Sequence, residues 1–368
     1  IRRIYSRIVT KGTLHATNSM TAEVVKTLEN AYRDVRIAYA AEVARYCDAH
    51  DIDFFALRDS VNTLAKQRDM ASSDPQAVPT GGLLVPTLGV GGHCLPKDGI
   101  LLWWRALEAG QDASRSLILE ARRINDESPM ETLRLAERTL GNLSGRRVAL
   151  LGAAYRGNSE DTRNSPTLSF ARLLRSEGAV VRIHDPYVHA ADANLRQSGL
   201  ADVFTRELVD AVSDAEVLVL CSPHRVYTDG WAAIRAAAPE ARHVLDACNL
   251  MSAAVVIDGG MTYTGIGRGG SSPSASLVMA VYAGFRTVEA GVANEVERLL
   301  RFLNQHHAPS PFNRVGFVDV QRIAATCPTG CAIRDPGPVS AADMRGPPSR
   351  LLAVATGHSR IADMVAQR

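Results

Sequence analysis

No stretch of the sequence is apolar for anything near the roughly 20 residues that span a bilayer, so no membrane-crossing helix is expected. Net charge is almost absent, with 41 Lys and Arg against 39 Asp and Glu and a balance of +2. Nothing in that balance calls for nucleic acid or an anionic membrane, and any phosphate binding must be local. Cysteines are few, six in 368 residues. Cys47, Cys94, Cys221, Cys248, Cys327 and Cys331 are scattered in a chain without a leader pattern, which favours reduced thiols in the cytoplasm over a disulfide framework. Internal repeats are also missing. What is present is ordinary: 46% hydrophobic and 22% charged residues sit near the globular average. The length suits at least two domains.

Ile1 to Lys11 has the pattern of an interrupted helix and strand, and Arg2, Arg3 and Arg7 are not followed by an apolar segment, so the chain reads as starting in mid-fold. From Thr21 to His50, apolar residues recur at helical spacing without glycine or proline, which predicts one long helix. Asp51 to Gln67 is its expected helical hairpin partner. Met70 to Gly92, rich in proline, glycine and serine, is an expected functional loop. Helical pattern resumes from Leu101 to Leu140, with Pro129 starting a second segment. After Gly145 strands and helices alternate: strands at Arg147–Leu151, Ala179–His184, Glu216–Leu220 and His243–Asp246, helices at Pro166–Glu177 and Val209–Val212. Such alternation implies a Rossmann-like parallel sheet with helices on both faces. It closes near Arg268, and a Gly/Ser linker, Gly269 to Ser274, leads into a helical stretch from Ala275 to Asn304 and a proline-rich tract to residue 348.

The segment Pro86-Thr-Leu-Gly-Val-Gly-Gly-His-Cys-Leu-Pro-Lys-Asp98 sets Cys94 after a glycine hinge and before a proline. Glycines allow close approach to a ligand, Lys97 favours a thiolate, and Asp98 can orient water or take a proton. A small buried cysteine in a turn is the alternative, and spacing alone leaves both open. Lys26 and Asn30, four apart in the first helix, share a face on which both can meet one oxyanion; by themselves they also suit a solvated surface.

The cysteine segment resembles the GGxCxPxD motif of the UDP-glucose/GDP-mannose dehydrogenase family, and Thr21-Ala-Glu-Val-Val-Lys-Thr-Leu-Glu-Asn30 resembles its AExxKxxxN motif. A third resemblance lies in Leu151-Gly-Ala-Ala-Tyr-Arg-Gly-Asn-Ser-Glu-Asp-Thr-Arg-Asn-Ser-Pro166 with His184-Asp-Pro186, similar to the GxxxK…DxRxSP and yDP signatures of the family's UDP-binding domain. The turn after the first strand supplies backbone amides, with Arg156 and Arg163 near enough to neutralise phosphate. Arg156 stands where the family has lysine, and a guanidinium is not equivalent to an ammonium.

The resemblance implies an α/β fold: a central all-helical dimerisation and catalytic region (17–143), a Rossmann-like UDP-binding domain (144–269), an unassigned C-terminal extension (270–368) and a remnant of a preceding domain (1–16). It implies an NAD-dependent enzyme that oxidises a UDP-sugar at C6 to the acid. Catalysis would rest on Cys94, Lys26, Asn30 and Asp98. Gly91, Gly92, His93, Lys97, Tyr155, Arg156, Asp161 and Arg163 would bind substrate, with Arg163 also reaching the cofactor. A homodimer in the cytoplasm is implied as well. Residues 29–38 and His93 resemble the UDP-N-acetylmannosamine and UDP-N-acetylglucosamine branch, whereas Lys97 is more typical of UDP-glucose enzymes; the resemblance favours a UDP-N-acetylhexosamine, UDP-N-acetylmannosamine foremost, as substrate.

The similarity covers residues 17 to about 268 and begins after the place of the family's NAD-binding domain, so that domain is expected on a separate polypeptide or not at all. Gly152 and Gly157 have the wrong spacing for G-x-G-x-x-G, and NAD is not expected on the sheet domain. The rival reading is a UDP-sugar-binding or assembly protein without activity. Beyond residue 270, Cys327 and Cys331 could join His306 and His307 around a metal, but C-x₃-C spacing is loose and packed thiols are favoured. Phe312 to Phe317 reads as a short strand or an anchoring turn.

Overall fold

The computed structural model describes residues 2–68, 82–308, 310–326, 331, 333–337, 339, 347 and 349–356. Its first helix, α1 (Arg2–Ile8), buries no residue. The long helix α2 (Ser19–Ala49) begins where the Asn18 side chain accepts from the Thr21 N–H, a cap that satisfies one orphan amide. Asp51, in the left-handed region, ends it, and the Asp53 carboxylate then accepts from the amides of Phe55 and Ala56 to start α3 (Phe54–Arg68).

The next helical stretch is three helices, not two. α4 (Leu95–Glu108) starts directly after Cys94, six residues earlier than its apolar spacing indicates, because Pro96 is well suited to a first helical turn. α5 (Leu117–Asp126) is capped by Ser116, and α6 (Ser128–Leu140) carries Pro129 in its first turn. α4 and α5 both pack on α2. A buried Asp34–Arg122 ion pair of 2.8 Å ties α2 to α5, with Asn125 donating to the same carboxylate. Burial outweighs that pairing and pushes Asp34 up to about 6.

The sheet contains β1 (Arg147–Leu151), β2 (Val180–His184), β3 (Phe204–Thr205), β4 (Val217–Leu220), β5 (His243–Asp246) and β6 (Thr262–Gly265), ordered β3-β2-β1-β4-β5-β6 and parallel throughout. Its connections carry α7 (Pro166–Ser176), α8 (Ala193–Gln197), α9 (Leu208–Val212), α10 (Arg225–Asp229), α11 (Trp231–Ala237) and α12 (Ala253–Asp258). β3 and β6, together with the helices α8, α10, α11 and α12, lie outside the sequence pattern. The order in which strands are added to the sheet reverses between β1 and β4, which opens a crevice at the carboxyl ends of those strands.

The C-terminal third folds back on the helical region. α13 (Ala275–His306) packs against α3, α4 and α5, and is followed by a 3-10 turn (Pro311–Asn313), α14 (Phe317–Ala324) and α15 (Arg350–Thr356). The turn is an anchor: Asn18 Nδ2 donates to the carbonyls of Phe312 and Arg314. Three buried carboxylates bind the two stretches together. Glu295 accepts from Trp103, Ser116 and the Leu117 amide, Glu289 from Tyr32, and Glu42 from Ser349 and the Arg350 amide. Burial raises the pKa of all three. The Gly/Ser segment is likewise fixed, since Asp51 and Asp53 bond along Arg268 to Ser271.

Asp48 gives a measurable consequence of this packing. Its carboxylate accepts from the Gly267 amide at 2.8 Å, and burial pushes its pKa to about 7 against the opposing pull of Arg138. The folded state therefore holds a proton that the unfolded chain has already released, so this contribution to stability is full below the ordinary carboxylate pKa and is lost as pH rises through about 7. Asp48→Asn keeps the carbonyl acceptor and removes the titration. Urea unfolding should show the variant gaining on the parent between pH 4.5 and pH 8, by roughly 1 kcal/mol or more; parallel pH profiles would show that Asp48 is not the source.

Candidate active site

Cys94 is exposed and sits at the N-cap of α4 without spending its side chain on a capping bond. The positive end of the helix dipole thus lies beside the sulfur. Cys94 lines a cleft of about 930 Å³ together with Lys26, Lys97 and Asp98. Asn30 joins them from α2: its Nδ2 donates to Asp98 Oδ2 at 2.5 Å, and Lys97 Nζ holds Asp98 Oδ1 at 2.6 Å. Both carboxylate oxygens of this buried residue are therefore oriented. Lys26 is more loosely placed, with its ammonium exposed and 3.3 Å from Glu29, a pair that holds it only weakly.

The cleft's far wall is formed by Leu303 and His307, at and just beyond the end of α13. Leu303 has no signal in the sequence and His307 has one only as a candidate metal ligand, for no linear motif links residues so distant. Cys327 lies outside the described residues, and Cys331 is buried. Among the described residues no cluster of His, Cys, Asp and Glu could hold a metal ion.

The second group occupies the switch-point crevice. Gly152 has φ 106° and lies against Ser222, so only a glycine fits where the chain leaves β1. Tyr155 follows, its amide bonded to the Asp161 carbonyl at 3.0 Å and its ring against Gly91 and Gly92. Arg156 is exposed. Arg163 grips Asp161 with two nitrogens, Nε to Oδ1 at 2.9 Å and Nη2 to Oδ2 at 2.6 Å. That bond, more than the nearby His93, holds the Asp161 carboxyl below its ordinary pKa. His93 is exposed between the two groups. The turn and the cysteine loop thus meet, bringing Gly91, Gly92, Tyr155, Asp161 and Arg163 together.

Asp185, at the end of β2, is fully buried and accepts from the amides of Ala153, Ala154, Tyr187 and Val188 and from His224 Nε2. His224 Nδ1 accepts from the Asn158 amide, so Nε2 carries the proton donated to Asp185. A dinucleotide on such a sheet needs a carboxylate in this region to meet a ribose hydroxyl. Asp185 is spent on the turn itself and is not free for such a contact.

An open parallel sheet with a switch-point turn, joined to a helical region that presents a cysteine at a helix start, defines a two-part α/β architecture. Residues 20–127 match the central domain, and residues 149–253 the UDP binding domain, of the UDP-glucose/GDP-mannose dehydrogenase family. The chain belongs to that family. It is 33% identical over 274 residues to the UDP-N-acetyl-D-mannosamine dehydrogenase of Pyrococcus horikoshii, covering 73% of this chain and 56% of that protein. The Methanococcus maripaludis protein of the same name is 30% identical over 61% of this chain and 46% of its own. Among solved structures, the NDP-N-acetyl-D-galactosaminuronic acid dehydrogenase of Methanosarcina mazei superposes with a TM-score of 0.60 at 30% identity, over 73% of this chain and 55% of that one. The chain spans about half the length of the curated relatives it matches.

Proposed function

We propose that the chain carries the substrate-binding and nucleophile-bearing parts of a nucleotide-sugar 6-dehydrogenase. Its substrate in this reading is a UDP-N-acetylhexosamine, UDP-N-acetylmannosamine foremost. The observation that carries it is the interlocked Asn30–Asp98–Lys97 array in the cleft that Cys94 faces. The names of the relatives support the sugar, and the match of the switch-point turn to a UDP binding domain supports the nucleotide.

Overall, the C6 alcohol loses two hydrides to two NAD⁺ and gains one oxygen from water. Once C6 is an aldehyde, Cys94 Sγ adds to it, forming a C–S bond as the C=O π pair moves to oxygen, and the resulting oxyanion is stabilised by the Lys26 ammonium and by a hydrogen bond from the second Nδ2 hydrogen of Asn30. Departure of a hydride from this thiohemiacetal leaves a thioester. Water positioned by Asp98 attacks the carbonyl, the C–S bond breaks, and the thiol is restored. Tyr155, Arg156 and Arg163 hold the diphosphate side of the substrate, with Gly91, Gly92, His93, Lys97 and Asp161 around the sugar. Arg163 also faces the cofactor. NAD itself is held by protein outside the described residues, on the same polypeptide or a separate one. A homodimer in the cytoplasm completes this reading.

The saturated Asp185 supports a second reading, a UDP-sugar-binding protein without turnover of its own. Together with a polypeptide that supplies the NAD-binding part, the chain should form two NADH per UDP-N-acetylmannosamine, and act more slowly on UDP-glucose. If no NADH appears while UDP-N-acetylmannosamine still raises Tm, the silent binder replaces the dehydrogenase.

A further inference from the structure

The Cys94 loop and the switch-point turn are joined at one residue. Gly92 donates its N–H to the Arg163 carbonyl at 2.8 Å, and its own carbonyl accepts from Asn164 Nδ2 at 2.9 Å. Both backbone polar groups of Gly92 are thus held by two consecutive residues of the turn. Asn164 stands in the left-handed region at φ 48°, which asparagine tolerates far better than most side chains. Gly92 has φ 90°, and a Cβ there would lie 2.9 Å from Tyr155 Cζ. Two residues on, Cys94 opens α4, and its carbonyl accepts from the amides of Lys97 and Asp98. On the turn side, Arg163 is bonded to Asp161 through both its amide and its guanidinium, and Ser165 caps α7. A continuous path of short bonds therefore runs from the proposed diphosphate contacts to the start of the helix that presents the thiol.

We propose that Asn164 is a positioning residue that couples nucleotide occupancy at the turn to the placement of Cys94. This rests on the UDP-sugar reading above. Nucleotide drawn to Tyr155, Arg156 and Arg163 acts on the Arg163–Asn164 pair, and the clasp on Gly92 passes the change to the thiol two residues away.

Alkylation of Cys94 by iodoacetamide, followed by site-resolved mass spectrometry in the full chain, reads the coupling directly, alongside the Kd for UDP. In the parent, UDP should change the Cys94 rate about fivefold or more, the low end of ordinary coupling between sites. Asn164→Gly keeps the backbone conformation but removes the donor, and should bind UDP within about twofold of the parent while the effect on Cys94 shrinks below twofold. Asn164→Asp, which sets an acceptor against the Gly92 carbonyl, should behave alike and serves if the glycine variant folds poorly. Direct shielding of the thiol by nucleotide would survive in both variants, so a full UDP effect there overturns the proposal, as does UDP binding to the parent without any effect on Cys94. If the parent binds no UDP, the functional reading falls. The clasp is then judged by the ligand-free rate, and an unchanged rate in Asn164→Gly overturns it.

Discussion

Cys94→Ala is expected to lower turnover by roughly a thousandfold or more in any preparation that forms NADH, because single members of a nucleophilic unit each carry most of its effect. The thiol is exposed and makes no capping bond, so its removal opens no cavity and folding stability should stay within about 0.5 kcal/mol of the parent. UDP-sugar affinity should also persist, since the nucleotide contacts lie on the other side of Gly92. The combination separates a nucleophile from a packed cysteine: a core thiol would lose stability and spare the chemistry. Rates of NADH formation, urea unfolding and UDP binding are the three readouts. Turnover within tenfold of the parent would remove Cys94 from the reaction.

Asp185→Ala should destabilise the sheet domain by about 3–5 kcal/mol, the usual result of removing one partner from a buried charged network. Four amides and the His224 Nε2 proton lose their acceptor at once. Burial pushes the Asp185 pKa up, but the bond from His224 and the backbone amides outweigh it and hold the group below its ordinary value. Its contribution is therefore present above the unfolded carboxylate pKa and is lost as pH falls through the depressed folded one. Asp185→Asn should lose less than the alanine variant and should flatten that acid limb. Urea unfolding of both variants from pH 7 downward checks the sign. An alanine variant as stable as the parent would mean that the turn carries its own hydrogen bonds.

Much of this molecule can be read locally. The run without glycine or proline marks α2 to within two residues at its start and one at its end, and β5 falls at His243–Asp246 as its alternation with helices indicates. α4 begins before its apolar pattern does, since Leu101 is not the first residue of the helix; the cue to its start is Pro96. β3, with two residues, is too short to show a period. The pairing of Asn30 with Asp98 spans 68 positions and has no sequence signal beyond the family motifs. The burial of Glu42, Glu289 and Glu295 has no linear signal, because it depends on donors distant in sequence. Asn164 lies within the segment similar to DxRxSP, yet its hold on the Gly92 carbonyl, 72 positions away, has no linear signal.

The Glu295 carboxylate meets Ser116 and Trp103 across 179 and 192 positions of sequence, and the whole sheet domain is translated in between. At ordinary elongation speeds of about 5–20 residues per second, α4 and α5 leave the ribosome on the order of ten seconds or more before the helix that covers them is made. The cleft that Cys94 faces is consequently a late product of biosynthesis. Its apolar faces must be kept from other partners during that interval, and a newly made chain acquires its sheet domain before it acquires a finished cleft.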